Sequence, residues 1–327
     1  MGYSREIYLC AMQALSQRRN AMRMQAEQRR AELQQSLPEI FELERRIASA
    51  GFAAARAVLS SQNVEEDLNR LMRENLKLQE EYDQLLLSHG YPKDYLLPQH
   101  CCPACGDEGY CNGRLCGCVK ELMREEAFRR LNELTPAKDC TFEAFSLAYY
   151  PDTPLQEGGV SPRRQMETIL RYCRAYADSF CAHSRSILMQ GSTGLGKTHL
   201  SLAIARVAID KGFGVVYGSV QNLMARLEQE RFGRTNEGES AKALLECDLL
   251  ILDDLGTEFT TQFVTASMYN LINSRLLAAK PTIISTNLSM KDLNDKYTER
   301  FTSRIIGGYD RLVFLGRDIR QQKRQAR

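Results

Sequence analysis

Apolar residues in the first 90 positions recur at the spacing of long α-helices. The clearest run steps alternately by four and three residues and marks one helix face: Val64, Leu68, Leu71, Asn75, Leu78, Tyr82 and Leu85. A seam with this repeat faces a partner helix, and a buried amide such as that of Asn75 fixes its register. A weaker seam runs from Ile40 to Ala54. We expect Pro38 to separate this second helix from a first one, and the segment 51–63 to separate it from the last.

The helical pattern predicts an α-helical, coiled-coil arm over residues 1–90. One interpretation is an arm that docks on another protein, and the other is a helical hairpin that packs only on itself. The heptad repeat lasts about three heptads, which is too short to decide between them.

The pattern changes twice after the arm. Residues 91–120 lose the helical periodicity and gather Pro, Gly and Cys, and a short amphipathic helix is expected over 121–135. From about residue 162, short apolar runs alternate with helix-like segments, as in a parallel sheet whose strands are joined by crossover helices. The sequence therefore predicts three parts: the arm (1–90), a small cysteine-rich module (91–135) and an α/β domain (136–327).

Composition narrows the class of protein. The chain has 43 Lys and Arg against 41 Asp and Glu, a net charge of only +2, so a positive field over the whole surface is excluded as a mode of nucleic-acid binding. It contains no run of about 18 apolar residues and does not start with the apolar segment of a signal peptide. We therefore expect a cytoplasmic chain without membrane contact, in which the 11 cysteines do not form a disulfide framework.

Six of the cysteines fall within residues 101–118. Two pairs among them have the spacing of ligands that turn toward one ion: Cys102 with Cys105, and Cys116 with Cys118. Four thiolates in a tetrahedral arrangement are typical of a structural Zn²⁺ site, and an Fe–S cluster, which takes the same ligands, is the alternative. Cys101 and Cys111 remain as spare thiols. Cys101 is an alternative to Cys102, which we prefer because it forms the tight C-P-x-C turn.

A phosphate-binding loop follows the first apolar run of the α/β domain. The run Ser186–Gln190 is followed by GSTGLGKT and then by an apolar-periodic helix, the strand–loop–helix context of the G-x-x-x-x-G-K-[ST] motif. We expect the backbone around three glycines to bind phosphates: Gly191, Gly194 and Gly196. Lys197 is expected to reach the β- and γ-phosphates, and the Thr198 hydroxyl to bind Mg²⁺.

A second apolar run, from Asp248, ends in paired acids and has the composition of an internal parallel strand. Asp253 is expected to bind Mg²⁺ together with Thr198, and Asp254 to orient or deprotonate the attacking water. Many ATPases of this class carry Glu at the second position, and the shorter side chain of Asp254 predicts slow hydrolysis. Glu258 is a second candidate for the same role, with a solvated loop acid as the alternative.

The third apolar run, 281–286, is followed by Asn287, at the strand end where a γ-phosphate sensor lies; a turn cap is the alternative. Arg300 and Arg304 lie one helical turn apart on one face. An arginine at a subunit edge stabilises transition-state charge in a neighbour's site, whereas such a pair alone is only a solvated face.

Contact with a nucleic-acid strand would require basic groups along a groove. Arg226 and Arg231, on the helix expected after Tyr217, are the candidates, with a solvated helix face as the alternative. The segment from Gly316 carries five basic residues and one acid, and we expect it to be disordered beyond Lys323.

Together, the phosphate loop and LLILDDLGTE, IISTN, ERFTSRIIG and FLGRDIRQQK resemble the AAA+ ATPases of the DnaC/DnaI helicase-loader type, within the IstB-like superfamily. The segment CPACGDEGYCNGRLCGC is similar to the zinc module that precedes the ATPase in many of them. The resemblance covers roughly residues 95–325. It implies an AAA+ P-loop core of parallel sheet and flanking helices with a reduced lid, bound ATP, Mg²⁺ and Zn²⁺, Asn287 as sensor 1, Arg304 as the arginine finger and Arg320 as the sensor 2 arginine.

The function implied by the resemblance is ATP-controlled delivery of a ring-shaped replicative helicase onto single-stranded DNA during DNA replication. The amino-terminal region would grip the helicase, the AAA+ domain would self-associate, and ATP hydrolysis would be slow and switch-like. One alternative is a transposition helper ATPase of the IstB type, which assembles on duplex DNA. Another is a phage or mobile-element replication protein that acts on a different ring.

Overall fold

The computed structural model describes residues 3–60, 64–134, 139–154, 159–232 and 239–325. The chain divides into two compact units: residues 12–118 form one, and residues 1–11 with 119–327 form the other. Within the described ranges, no helix combines the length and the apolar character needed to span a membrane.

Long helices build most of the unit 12–118. They are α1 (Arg5–Ser36, of which Met12 onward belongs to this unit), α2 (Glu39–Ser60) and α3 (Val64–Ser88). Pro38 separates α1 from α2, as predicted. The predicted break within 51–63 was wrong for its first ten residues, because α2 continues through Gly51 to Ser60; residues 61–63 lie outside the described part of the chain. The alanine-rich sequence after Gly51 favours helix strongly enough to outweigh a single glycine, which costs about 1 kcal/mol.

The heptad seam of α3 packs against helices of the same chain. Leu78 is buried, and the Asn75 amide donates a hydrogen bond to the Ile47 carbonyl oxygen (3.4 Å). Tyr82 Oη donates to Glu44 Oε1 (3.2 Å). Residues from all three helices surround one apolar cluster: Leu33, Leu37, Ile40, Tyr82, Leu85 and Leu86. The second half of the seam, from Asn75 to Leu85, therefore packs within the chain, which leaves open whether the arm also docks on another protein.

The cysteine-rich segment folds around a small antiparallel hairpin of β1 (Tyr110–Cys111) and β2 (Arg114–Leu115). The following helix, α4 (Gly117–Leu134), begins at Gly117 and not at the expected residue 121. Cys118 consequently lies in the first turn of α4.

The larger unit contains an α/β sheet. Its strands are β3 (Ser186–Gln190), β4 (Val215–Ser219), β5 (Leu249–Leu255), β6 (Thr282–Thr286) and β7 (Tyr309–Val313). In the described residues they form one parallel sheet in the order β4-β5-β6-β3-β7. β3 and β6 are buried along their whole length, which explains the continuous apolar runs of the sequence. The predicted α/β fold class is confirmed.

Helices connect and cover the strands. They are α5 (Pro162–Asp178), α6 (Lys197–Asp210), α7 (Val220–Phe232), α8 (Glu239–Glu246), α9 (Gln262–Leu277), α10 (Met290–Lys296), α11 (Glu299–Gly308) and α12 (Ile319–Gln325). Side-chain caps start several of them; Ser161 Oγ accepts from the Arg164 N–H at the start of α5. An apolar core lies between β5, β6 and the helices α7, α9, α10 and α11. The carboxyl ends of β3, β5 and β6 meet at one edge of the sheet, where parallel α/β folds bind ligands.

The end of the chain is more ordered than predicted. α12 runs to Gln325, so the expected disorder beyond Lys323 was wrong for Arg324 and Gln325; residues 326 and 327 lie outside the described residues. Asp318 caps the helix, because its Oδ1 accepts from the Arg320 N–H (2.8 Å).

Candidate functional site

The phosphate loop connects β3 directly to α6. Two of its glycines have left-handed backbones, with φ of 73° at Gly194 and 85° at Gly196. A β-carbon at Gly196 would come within 2.8 Å of the Phe145 ring and 3.2 Å of Tyr150 Oη, so only glycine fits there. Tyr150 Oη also donates to the Leu195 carbonyl oxygen (2.9 Å). Phe145 and Tyr150, which precede the sheet in the chain, therefore stabilise the conformation of the phosphate loop.

The side chain of Lys197 is buried and turns back into the loop. Its ammonium group donates to the carbonyl oxygens of Gly191 (2.7 Å) and Ser192 (2.8 Å). Burial lowers the pKa of Lys197, and the nearby carboxylate of Asp254 acts in the opposite direction. A lysine enclosed by such a loop is the arrangement that binds the phosphates of a nucleotide.

The Thr198 hydroxyl at the start of α6 lies within hydrogen-bond distance of the Asp253 carboxylate on β5. Thr198 Oγ1 lies 3.1 Å from Asp253 Oδ1 and 3.0 Å from Oδ2. Two further hydroxyls, those of Tyr217 and Ser285, donate to the same carboxylate. A carboxylate and a hydroxyl are hard oxygen ligands of the kind that Mg²⁺ takes beside nucleotide phosphates. These residues therefore fit the magnesium ion that the phosphate-loop motif predicts.

Asp254 has a left-handed backbone, with φ of 55°, which is uncommon for a residue other than glycine. It lies where the pairing of β5 with β6 shifts register, between Leu252 and Leu255, and its N–H donates to Ser285 Oγ (2.9 Å). The side chain reaches solvent, and partial desolvation together with the charge of Asp253 raises the pKa of Asp254. A raised pKa and an irregular backbone beside a candidate magnesium site are features of residues with a chemical role.

Glu258 is not the solvated loop acid that was one alternative for it. Its side chain is 4% exposed. Oε2 accepts from the Gly256 N–H (2.9 Å), Oε1 accepts from the Tyr297 hydroxyl, and Lys296 Nζ lies 3.4 Å from Oε1. These contacts tie the loop after β5 to α10. Both oxygens are engaged in holding that loop, which favours Asp254 as the residue that orients water.

The remaining predicted residues lie at strand and helix surfaces around the loop. Asn287 is exposed immediately after β6, and the preceding Thr286 carbonyl oxygen accepts from the Gly191 N–H (3.1 Å). Asn287 is thus next to the start of the phosphate loop. Arg300 and Arg304 are exposed one turn apart on α11, where side chains are available to a neighbouring chain.

Arg320 lies near the phosphate loop because α12 begins there. The Ile319 N–H donates to the Gly194 carbonyl oxygen (3.0 Å), and Asp318 caps the helix beside it. The guanidinium of Arg320 acts to lower the pKa of Asp254, against the larger effect of burial. Arg320 therefore belongs to the electrostatic environment of the site.

The candidate DNA-binding arginines differ in their surroundings. Arg226 is exposed on α7. Arg231, near the end of the same helix, stacks over the Phe263 ring with its guanidinium carbon 5.0 Å from the ring centroid. Packing on an aromatic ring restrains the orientation of the Arg231 side chain.

In the cysteine-rich segment, the structure brings together the four thiols predicted as metal ligands. The sulfur atoms all lie within 4.8 Å of one another, with Cys102 and Cys116 at 3.8 Å and Cys105 and Cys118 at 3.5 Å. Ligands about 2.3 Å from one tetrahedral ion are roughly 3.8 Å apart, so the spacing fits a single zinc ion. In a [4Fe–4S] cluster each of the four thiolates binds a different iron atom, so the cysteine sulfur atoms lie farther apart than they do here.

The buried carboxylate of Asp107 stabilises the turn around these thiols. Asp107 accepts hydrogen bonds from the N–H groups of Cys101 (2.8 Å) and Cys102 (3.0 Å), which orients Cys102 inward. The Cys101 side chain is exposed, and Cys111 Sγ instead donates to the Ala104 carbonyl oxygen (3.0 Å). The described cysteines are free thiols without disulfides. The structure therefore gathers the set that contains Cys102, not Cys101.

Hydrogen bonding from the Cys118 backbone lowers the pKa of Cys116, whereas burial raises the pKa of Cys118. Four thiols so close together do not all ionise without a cation between them, because the like charges repel. The donor set is thus matched to a divalent ion.

Several residues of the site were not identified from the sequence. They are Phe145 and Tyr150 beneath the loop, Tyr217 and Ser285 around the Asp253 carboxylate, and Asp318 and Ile319 at the start of α12. Ser285 is a polar residue within an apolar run of the sequence, but this pattern alone does not indicate which group its hydroxyl contacts.

Known proteins are similar to the α/β unit over most of its length. The family model for the IstB-like ATP binding protein matches residues 165–321. The replicative helicase loader DnaC of Escherichia coli is 26% identical over 187 residues, which cover 57% of this chain and 71% of DnaC. A putative insertion sequence ATP-binding protein of Sinorhizobium fredii is 29% identical over 214 residues, 63% of this chain and 65% of the relative. A crystal structure of the DnaC helicase loader aligns with a TM-score of 0.46 and 23% identity over 55% of this chain and 99% of that structure.

Proposed function

Because residues 165–321 are an IstB-like ATP-binding domain homologous to the helicase loader DnaC, we propose that the protein is an ATP-switched loader of a ring-shaped replicative helicase onto single-stranded DNA. The observation that carries the ATPase part of this proposal is the meeting of Thr198 and Asp253, 3.0 Å apart, beside a loop closed around Lys197. These are the groups needed to hold a nucleotide and its magnesium ion.

In this proposal each residue of the site has a separate task. The loop glycines and Lys197 bind the phosphates of ATP, and Thr198 with Asp253 holds Mg²⁺, which supplies charge stabilisation for the transferred phosphoryl group. Asp254 orients the attacking water. Asn287 senses the γ-phosphate. Arg304 acts across a subunit interface in a self-associated form, and Arg320 contacts the nucleotide from α12.

Hydrolysis is slow in this proposal, because the Asp254 carboxylate is one methylene shorter than a glutamate and lies farther from the γ-phosphate. A turnover as fast as that of motor ATPases would contradict a switch-like enzyme.

The helical unit 12–118 would grip the helicase. Some apolar side chains of α3 do not belong to the heptad seam and are exposed to solvent: Met72 is 55% and Leu76 57% exposed. They lie one helical turn apart and form a short apolar stripe that a groove on a partner accommodates. The four-thiol site, with Zn²⁺ bound, would fix the end of this unit. In this proposal the arm (1–90), the zinc module (91–135) and the ATPase domain (136–327) have separate tasks.

The second candidate is a transposition helper ATPase. It is favoured by the Sinorhizobium fredii relative, whose name places it in an insertion sequence and whose identity to this chain, 29%, exceeds that of DnaC. A helper of this kind would assemble on duplex DNA and would not need the exposed stripe on α3.

The test uses the full-length chain mixed with a purified hexameric replicative helicase. We expect a complex in gel filtration, lost in the variant M72S/L76S. Leu277→Ser is the matched control, because Leu277 is an exposed apolar residue on α9 (76% exposed) and lies outside the arm. Unaltered complex formation by the double variant would refute the role of the stripe. ATP-dependent assembly on duplex DNA without any helicase complex would favour the helper.

A further inference from the structure

The Asp253 carboxylate is surrounded by hydroxyl groups from three different elements. Thr198 Oγ1 contacts both carboxylate oxygens. The Tyr217 hydroxyl donates to Oδ2 (2.7 Å), and the Ser285 hydroxyl donates to Oδ1. Each oxygen of the carboxylate thus has two hydroxyl neighbours, one of them shared.

The sheet register explains why these groups meet. In the parallel pairing of β4 with β5, Tyr217 is opposite Ile251, which is two residues before Asp253 and therefore on the same face. A tyrosine is long enough to reach this diagonal neighbour. On the other side of β5, Ile284 pairs with Leu252, which places Ser285 on the face of Asp253. Three adjacent strands thus supply the acid and its two hydroxyl partners.

The three residues are shielded from solvent. Asp253 is 5%, Tyr217 8% and Ser285 0% exposed. A donor removed from this carboxylate is not easily replaced by water, because little water reaches it. The orientation of the carboxylate therefore depends on these two side chains.

Ser285 connects the two acids of the site. Its hydroxyl donates to Asp253 and accepts the hydrogen bond of the Asp254 N–H (2.9 Å). The hydroxyl has one proton, which it donates to the Asp253 carboxylate, so it can only accept from the Asp254 N–H. Asp254 has its left-handed backbone at this point, and the bond to Ser285 holds it there.

We propose that Tyr217 and Ser285 are positioning residues that orient the Asp253 carboxylate for Mg²⁺, with Ser285 also setting the backbone of Asp254. The inference rests on the proposed ATPase function. Both hydroxyls donate to the carboxylate. These two bonds can stay as they are when the Thr198 oxygen offers a lone pair to the ion. They therefore keep Asp253 in one orientation with or without the metal, as partners of metal ligands commonly do.

The test compares Tyr217→Phe and Ser285→Ala with the unchanged full-length chain. Binding of a fluorescent ATP analogue is measured in EDTA and during titration with MgCl₂. We expect the Mg²⁺ concentration at half-maximal effect to rise about 10-fold in each variant, since loss of such a partner typically weakens metal affinity by about 10- to 100-fold. Affinity in EDTA should change less than about 2-fold, and Ser285→Thr, which retains the hydroxyl, should restore the Mg²⁺ response.

Two control variants separate positioning from general loss of stability. Tyr172→Phe removes a hydroxyl that donates to a different acid, Asp310 (2.6 Å). Ser186→Ala removes a buried hydroxyl at the start of β3, which accepts from the Thr282 N–H (3.0 Å). Both should leave the Mg²⁺ titration unchanged.

An unchanged Mg²⁺ dependence in Tyr217→Phe and Ser285→Ala overturns the inference, as does equal weakening of nucleotide binding with and without Mg²⁺. If the unaltered protein binds no nucleotide at all, the ATPase proposal itself fails and this inference fails with it. That result is distinct from a loss confined to the metal response.

Discussion

Asp318 lies against Gly194 in the phosphate loop, where a β-carbon at position 194 would come within 2.0 Å of Asp318 Oδ1. The adjacent Ile319 N–H donates to the Gly194 carbonyl oxygen (3.0 Å). Gly194 also has a left-handed backbone, with φ of 73°. The loop and the start of α12 are therefore fitted to each other at a position that excludes any side chain.

Gly194→Ala should lower the free energy of unfolding by more than backbone strain alone explains. Gly212→Ala is the matched control, because Gly212 has φ of 89° and, among the described residues, no neighbouring atom within 4 Å of the position that a β-carbon would take; its cost should be about 1–2 kcal/mol. Urea unfolding measures both. In an Asp318→Ala background the excess cost at position 194 should fall, and an unchanged excess would contradict the contact.

Lys197→Ala should reduce affinity for ATP by at least about 10-fold, because it removes the charged donor of the loop and such hydrogen bonds contribute about 1.5–3 kcal/mol. Lys211→Ala is the control: Lys211 follows α6 at its other end, where its ammonium group donates to the Ala177 carbonyl oxygen (2.8 Å). Titration calorimetry with ATP and MgCl₂ measures both. Equal affinity in the two variants would exclude a phosphate-binding role for Lys197.

Arg304→Ala should bind ATP normally and lose the hydrolysis that depends on self-association, because an arginine finger acts in a neighbour's site. Arg300→Ala, one turn away on α11, is the control. A sharper experiment mixes the Arg304→Ala chain with the Lys197→Ala chain. The first keeps an intact phosphate loop and the second an intact Arg304, so a mixed assembly can combine the two in one site. Recovery of hydrolysis in the mixture supports action between chains, and no recovery argues against it.

The cysteine cluster should hold one zinc ion per chain in protein purified in air. Cys105→Ser and Cys116→Ser each remove one of four converging ligands and should lose the metal, whereas Cys101→Ser and Cys111→Ser should retain it. Elemental analysis measures the content. Iron with visible absorbance in the unaltered chain would show the Fe–S alternative to be correct, and zinc retained in Cys116→Ser would refute the ligand set.

Glu126 should contribute stability that acid removes. Its bonds to Arg129 and Arg130 lower the pKa of Glu126 to about 2, below the unfolded value of about 4.3. The contribution is thus complete above about pH 5 and is lost as pH falls toward 2. Glu126→Gln should cost about 1 kcal/mol at pH 7, since the arginines are solvent-accessible, and less at pH 3.5. Glu125→Gln, at an exposed position of α4, is the control for urea unfolding at both pH values.

The phosphate loop, Asp253 and the four thiols were predictable because their chemistry depends on short spacings. Thr198 and Asp253 are far apart in the chain, yet Thr198 follows the loop after β3 and Asp253 lies near the carboxyl end of β5, and parallel strands end at one edge. Tyr217 and Ser285 were missed because their contacts depend on the order β4-β5-β6, which no local pattern specifies. Each side chain alone resembles any other polar residue in a strand.

Two other differences have the same origin. A solvated position was one alternative for Glu258, yet the residue is buried, and its burial depends on Tyr297, which follows a helix beyond the next strand. The expected disorder of the tail followed from its charge, whereas α12 is held by Asp318 and by Gly194 of a distant loop. The composition of a segment predicts its structure correctly only where the segment makes no contacts with distant parts of the chain.

The place where α12 begins has a practical consequence for anyone labelling this protein. A helix of seven residues is roughly 10 Å long, so a fluorophore attached to any residue of α12 would lie within about that distance of Gly194 in the phosphate loop. A bulky label on α12 would thus disturb the phosphate loop, whereas a small environment-sensitive dye attached there would report on the nucleotide binding proposed for that loop.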